Sequence, residues 1–86
     1  MSESEEDGMR TAEILREVAR AFEIPEVGVG DSFAKLGANS VGLLRLMSAI
    51  QEKFDVIIDL VDIFQVKNVA ELVTLVDEVL ARKKER

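Results

Sequence analysis

The chain has 86 residues, 48% of them apolar, which supports one small domain with a modest core and leaves nothing over for an enclosed active-site cleft. It contains no Cys and no His. That removes thiolate nucleophiles, imidazole bases, disulfides and the usual nitrogen and sulfur metal ligands, so neither catalysis of its own nor a metal site is expected. A formal charge of -6 argues against nucleic acid or an anionic membrane as partner and favours proteins with basic surfaces.

The first residues, Ser2 to Asp7, are acidic where a secretory signal would be basic, and no apolar run approaches membrane-spanning length, so a soluble, cytoplasmic protein is expected. Residues 1–8 have almost nothing to bury and are expected to be disordered. From Thr11 to Phe22 the apolar set Leu15, Val18, Ala19 and Phe22 has helical spacing, with Arg16, Glu17 and Arg20 on the opposite face. Ile24-Pro25 ends this helix, because Pro drives the residue before it out of the helical region. The stretch from Glu23 to Asn39 reads as a long ordered loop pinned by Val29, Phe33 and Leu36, with Asp31-Ser32 able to cap a single helical turn through Lys35.

A second helix is predicted from Ser40 to Phe54, with Leu43, Leu46, Met47, Ile50 and Phe54 as its buried stripe. Val56-Ile57-Ile58 has the composition of a strand but no partner strand in the chain, and reads as extended loop. A short helix near Leu60 to Phe64, anchored by Ile63 and Phe64, precedes a fourth helix from the N-cap Asn68 to Arg82, buried through Val69, Leu72, Val73, Val76 and Leu80. Leu75 and Val79 flank that stripe at the core edge. The expected organisation is a folded domain over residues 9–82 and a basic tail over 83–86 whose cations complement a helix C-terminus. The fold class is all-α, three main helices plus one short helix.

Ser40 is the residue of chemical interest, because a helix start carries unpaired amides and partial positive charge that stabilise an attached anion. Gly37 and Gly42 keep its surroundings low enough for a second protein to approach. A Ser in this position is also a common N-cap, and residue pattern alone leaves the two roles open.

Asp31-Ser32-Phe33, followed by Leu36-Gly37-Ala38-Asn39-Ser40-Val41, resembles the pattern around the phosphopantetheine serine of the acyl and peptidyl carrier proteins. Phe54-Asp55-Val56, Ile63-Phe64, Asn68-Val69 and Leu72 continue the likeness in the family's order, so that it spans Leu15 to Leu80. Asn39 stands where Asp is commonest, Asp55 where Gly is usual, and Lys67-Asn68 where Pro-Thr often opens the last helix. The resemblance implies an acyl-carrier-like bundle and a free-standing, monomeric carrier. It would hold an acyl, aminoacyl or peptidyl intermediate as a thioester on a 4'-phosphopantetheine arm, taken from coenzyme A and attached to Ser40, with Gly37, Ala38 and Asn39 around the attachment point. The implied partners are a phosphopantetheinyl transferase with a magnesium ion of its own, an adenylating or acyl-loading enzyme, and condensing, tailoring or transferring enzymes. Because the chain lacks Cys, a thioester needs the thiol that the arm imports.

On the second helix the buried stripe leaves Val41, Leu44, Arg45, Ser48 and Glu52 facing solvent, and Val41, Leu44, Arg45 and Ser48 form the expected partner-docking face. Sparse charge there is more similar to peptidyl carriers and carriers of specialised metabolism than to fatty-acid carriers, whose corresponding helix is acidic. The alternative reading is an unmodified helical interaction domain. Asp55, Asp59 and Asp62 lack the spacing and central Gly of a calcium loop.

Overall fold

The computed structural model describes residues 3–84 and contains four helices: α1 (Glu3–Phe22), α2 (Ser40–Phe54), α3 (Leu60–Gln65) and α4 (Val69–Lys84). The all-helical bundle of three long helices and one short one is therefore the observed architecture. Its core joins Ile14 and Val18 of α1, Leu46 and Ile50 of α2, Ile63 of α3, and Val69, Leu72 and Val76 of α4, with Phe33, Val56 and Ile58 added from the connections. Leu75 and Val79 pack at its edge, as their position beside the main stripe of α4 predicts.

Three helix starts are fixed by short polar side chains that accept the amides a helix leaves unpaired. The Asn39 carboxamide accepts from the Gly42 amide at 2.9 Å, Asp59 from Val61 at 3.0 Å, and Asn68 from Glu71 at 2.8 Å. Glu71 reaches back to the Lys67 amide at 3.0 Å, which makes the start of α4 a reciprocal capping arrangement. Helix ends also share a device. At the end of α1, Glu23 is left-handed (φ 55°) while Ile24 N–H donates to Ala19 O at 2.9 Å and Glu23 N–H to Arg20 O at 3.3 Å, the paired bonds of a Schellman motif. Asp55 (φ 53°) ends α2 in the same conformation, with Val56 N–H donating to Gln51 O at 3.1 Å.

The long loop is ordered by backbone pairing that spans the chain. Phe33 N–H donates to Lys67 O at 2.9 Å, Val69 N–H to Asp31 O at 3.1 Å, and Ala70 N–H to Val29 O at 3.0 Å, so the loop runs against the start of α4. Phe33 is buried and Leu36 packs on the core, as expected of pins; Val29 is 45% exposed and contributes its carbonyl instead, while Val27 takes the packing role. Val56 to Ile58 is extended and alternates, Val56 and Ile58 inward and Ile57 outward, with Ile58 N–H held by Gln51 Oε1 at 2.8 Å.

α1 begins at Glu3 and takes in most of the acidic segment. Residues 1–2 of that segment, and 85–86 of the basic tail, lie outside the described residues. The buried stripe of α1 is rotated by about one position, centred on Ile14 and Val18, with Leu15, Ala21 and Phe22 at its edges. Glu17 consequently turns inward and is 8% exposed, within 3.7 Å of Lys53 on α2 and 3.9 Å of Arg20. Phe64, expected in the core, is 45% exposed, because a helix of one and a half turns inserts only Ile63.

Gly42 also differs from expectation: it is buried, and it faces α1 instead of the approach to Ser40. A Cβ built there would lie 2.6 Å from Cδ1 of Phe22 and closer still to Cε1. Gly42→Ala is therefore expected to destabilise the domain by about 1 to 3 kcal/mol through overpacking. Adding Phe22→Leu should recover part of that loss, a coupling that denaturant melts of the two single variants and the double variant read directly. A Gly42→Ala chain as stable as the parent would show that α1 and α2 do not meet this way.

Candidate functional site

The segment before α2 is a single helical turn that sets down Ala38, Asn39 and Ser40. Ser32 opens the turn: its Oγ accepts from Lys35 N–H at 3.1 Å and its carbonyl from Leu36 N–H at 3.1 Å. Gly37, left-handed at φ 76°, closes it, with Ala38 N–H donating to Phe33 O at 2.9 Å and Gly37 N–H to Ala34 O at 3.2 Å. A side chain at Gly37 would find open space, so backbone conformation, which favours glycine here, sets the residue type. Asn39 then takes extended backbone (φ -135°, ψ 172°) and α2 begins.

The cap of α2 is Asn39, not Ser40. Its Oδ1 accepts from Gly42 N–H and its carbonyl from Leu43 N–H, both at 2.9 Å. Ser40 is the first helical residue and is exposed, and among the described residues its hydroxyl has no protein partner. This removes the capping role that residue pattern left open for Ser40. Gly37 and Asn39 are exposed beside it and Ala38 is half-buried.

These features fit a phosphodiester on Ser40 Oγ. The amides of Ser40 and Val41 have no acceptor among the described residues, and no acidic residue occupies the first turn of α2. Nothing charged lies between Leu36 and Leu44. Dipole and donors at that end therefore remain available to an anion.

Along the outer face of α2, Val41 (59% exposed), Leu44 (41% exposed), Arg45, Ser48, Ala49 and Glu52 line one shallow depression. Every residue expected on the docking face is thus exposed and on one side. Leu60, Val61 and Phe64 of α3, which packs on α2, are exposed as well and were not anticipated. Their signal in the sequence is the shortness of the helix, which cannot bury four apolar side chains. A larger groove of about 610 Å³ lies around Asp55, Ile57, Asp59, Asp62, Val79 and Lys83, at the other end of the 15-residue α2, about 22 Å from Ser40. Two of its three aspartates have structural tasks: Asp55 Oδ2 holds Lys83 Nζ at 3.0 Å and Asp59 caps α3.

A family model described as the phosphopantetheine attachment site matches residues 12–76. The chain belongs to this family. Members carry covalently attached 4'-phosphopantetheine, and that group is the cofactor of this chain. The chain is also 36% identical over 58 residues, 67% of its length, to chondramide synthase of Chondromyces crocatus, of which it spans only about 2%. Among the described residues no helix is long and apolar enough to cross a membrane.

With Asn39 as the cap, Asn39→Ala should cost about 0.5 to 2 kcal/mol of stability. Ser40→Ala, at an exposed position making no bond, should stay within about 0.5 kcal/mol of the parent. Chemical denaturation of both variants checks the assignment; the reverse order would return the cap to Ser40.

Proposed function

We propose that this domain is a carrier in specialised metabolism, of the peptidyl or related type, which holds an acyl, aminoacyl or peptidyl intermediate as a thioester on an arm attached to Ser40. The observation that carries the reading is the exposed, unspent Ser40 hydroxyl at the start of α2, in a family defined by phosphopantetheine attachment. In the attachment step Ser40 Oγ bonds to the phosphorus that bears pantetheine, the pyrophosphate P–O bond of coenzyme A breaks, and adenosine 3',5'-bisphosphate leaves. The hydroxyl proton passes to a base of the transferase, since no side chain here is placed to take it. Once attached, the arm supplies the thiol that the chain lacks.

The domain's own work is transport. It presents the thioester to a loading enzyme and then to condensing, tailoring or transferring enzymes at high effective concentration. Val41 and Leu44 directly beyond Ser40 supply a small apolar contact, Leu60, Val61 and Phe64 extend it, and Arg45 gives it a basic element. A modest patch suits partners that must leave quickly.

Incubation with coenzyme A and a broad-specificity transferase is expected to add one phosphopantetheine to the parent and none to Ser40→Ala, read by intact mass. Mass gain in that variant would move the attachment elsewhere. On the docking face, Leu44→Asp should slow loading of the arm about tenfold or more without changing the fold, because a partner would have to desolvate the new carboxylate. Arg45→Glu should slow the cognate loading enzyme in a way that fades as salt rises. Unchanged rates for Leu44→Asp would dismiss the apolar face, and a salt-independent effect of Arg45→Glu would dismiss the electrostatic one.

A further inference from the structure

The depression on the outer face of α2, about 490 Å³ in volume, is lined by Val41 and Leu44 at one end and by Arg45, Ser48, Ala49 and Glu52 beyond them. Ser40 borders it through Val41 and Leu44. Among the described residues the side chains of Arg45, Ser48 and Glu52 make no hydrogen bond or ion pair, although all three are exposed on one stripe of the helix. Lys53, next to Glu52 in sequence, is engaged across the α1 interface instead, 3.9 Å from Glu13 and 3.7 Å from Glu17. The Glu52 carboxylate is therefore left to solvent.

At about 1.5 Å of rise per residue, Arg45, Ser48 and Glu52 lie about 8, 12 and 18 Å along α2 from Ser40. A phosphopantetheine arm rooted on Ser40 and extended at about 3.5 Å per three bonds places its two amide carbonyls at about 7 and 12 Å, and its dimethyl carbon nearer the root, level with Val41 and Leu44. On the same scale the ammonium of an α-amino acid joined to the sulfur falls at about 20 Å. The two sets match in order and in chemistry: apolar group on apolar side chains, carbonyls on the donors Arg45 and Ser48, ammonium on the acceptor Glu52. The Glu52 side chain leans back toward the start of the helix, which brings its carboxylate within the arm's reach.

We propose that this depression holds the arm along α2 between partners, and that Glu52 receives the free ammonium of an α-aminoacyl cargo, which makes amino acids the substrate class. The proposal rests on the reading of Ser40 as the attachment point. A simple acyl chain, or an amino acid acylated on nitrogen, brings no cation to Glu52 and gains nothing there. An exposed ion pair is weak by itself, but the tether holds the two groups together at an effective concentration on the order of millimolar or more. A partner that docks on Val41 and Leu44 displaces the arm and frees its cargo.

The test uses the full chain, loaded by a broad-specificity transferase from coenzyme A analogues that carry a glycyl or a propionyl group through a hydrolysis-resistant amide in place of the thioester. The two cargoes match in length and differ in the ammonium. Intact mass establishes that each sample is fully loaded, and backbone amide NMR shifts are read against the unmodified chain. Both cargoes should move the amides of Arg45 and Ser48, and the glycyl form should move those of Ala49 and Glu52 at least twice as far as the propionyl form. Glu52→Gln should remove at least half of that glycyl-specific change, as should about 1 M salt, whereas Asp62→Asn, in the distant groove, should keep it. Shifts confined to Gly37 through Val41, equal shifts at Glu52 from both cargoes, indifference to Glu52→Gln or to salt, or loss of the change in Asp62→Asn would each overturn the proposal while leaving Ser40 as the attachment point. Absence of any mass gain, or a gain retained by Ser40→Ala, would instead remove the reading beneath it.

Discussion

Phe22 lies over Gly42 at a distance that admits no side chain, and this approach sets where α2 begins relative to α1. The same ring meets Phe33 at 6.0 Å between centroids, tilted by 59°, so one aromatic pair ties together the end of α1, the turn before α2 and the first turn of α2. Ser40 sits where these three segments converge. The core is thereby continued up to the backbone of the site, while the groups displayed at the surface are small: Gly37, Asn39 and a hydroxyl. A transferase needs this combination, since a hydroxyl on a mobile loop would have to be ordered during the reaction and one among large side chains would be out of reach.

Three changes of direction along the chain use the same local solution. Glu23, Gly37 and Asp55 all take left-handed backbone after a helical turn, and two of the three are not glycine. Such conformations cost an L-residue roughly 1 to 2 kcal/mol, so something must offset them. At Asp55 the offset is visible: Lys83 Nζ lies 2.6 Å from its carbonyl and 3.0 Å from its carboxylate, joining the end of α4 to the end of α2. Both bonds are solvent-exposed, which keeps their net contribution small. At the start of α4 a related trade is made. Pro would have no N–H at position 67, but Lys67 does, and Glu71 uses it.

Much of this was legible because amphipathic spacing and capping chemistry are local. The bounds of α2, the Asn68 cap, the turn opened by Ser32 and the loop character of Val56 to Ile58 each follow from a handful of neighbouring residues. The misplacements share a different origin. Helical periodicity gives the stripe of α1 only to within about one position: Glu17 turns inward beside Lys53 while Leu15 packs at the core edge. Val29 looked like a core residue because its side chain is apolar, whereas its role is carried by its carbonyl, which meets the Ala70 amide far away in sequence. Gly42 was read for what it exposes, and only the position of Phe22 shows what it admits. Resemblance singles out Ser40, but the division of labour between Asn39 as cap and Ser40 as a hydroxyl with no partner among the described residues requires the geometry.

Under the proposed function, charge is distributed so that net attraction and specific docking are separated in space. The chain carries -6 overall, yet the outer face of α2 near Ser40 presents Val41, Leu44 and Arg45, and acids gather at the far end as Asp55, Asp59 and Asp62. A partner with a basic surface feels the overall field at long range, where orientation matters little and salt screens it. At contact Val41 and Leu44 beside Ser40 offer apolar area worth only a few kcal/mol even if fully covered at about 25 cal/mol per Å², with Leu60, Val61 and Phe64 adding to it only where a partner also reaches α3. After the losses of association, an interface of that size holds a partner briefly. Under the proposed function this weakness is a requirement, because the same face must serve several enzymes in turn and any one that bound tightly would exclude the next.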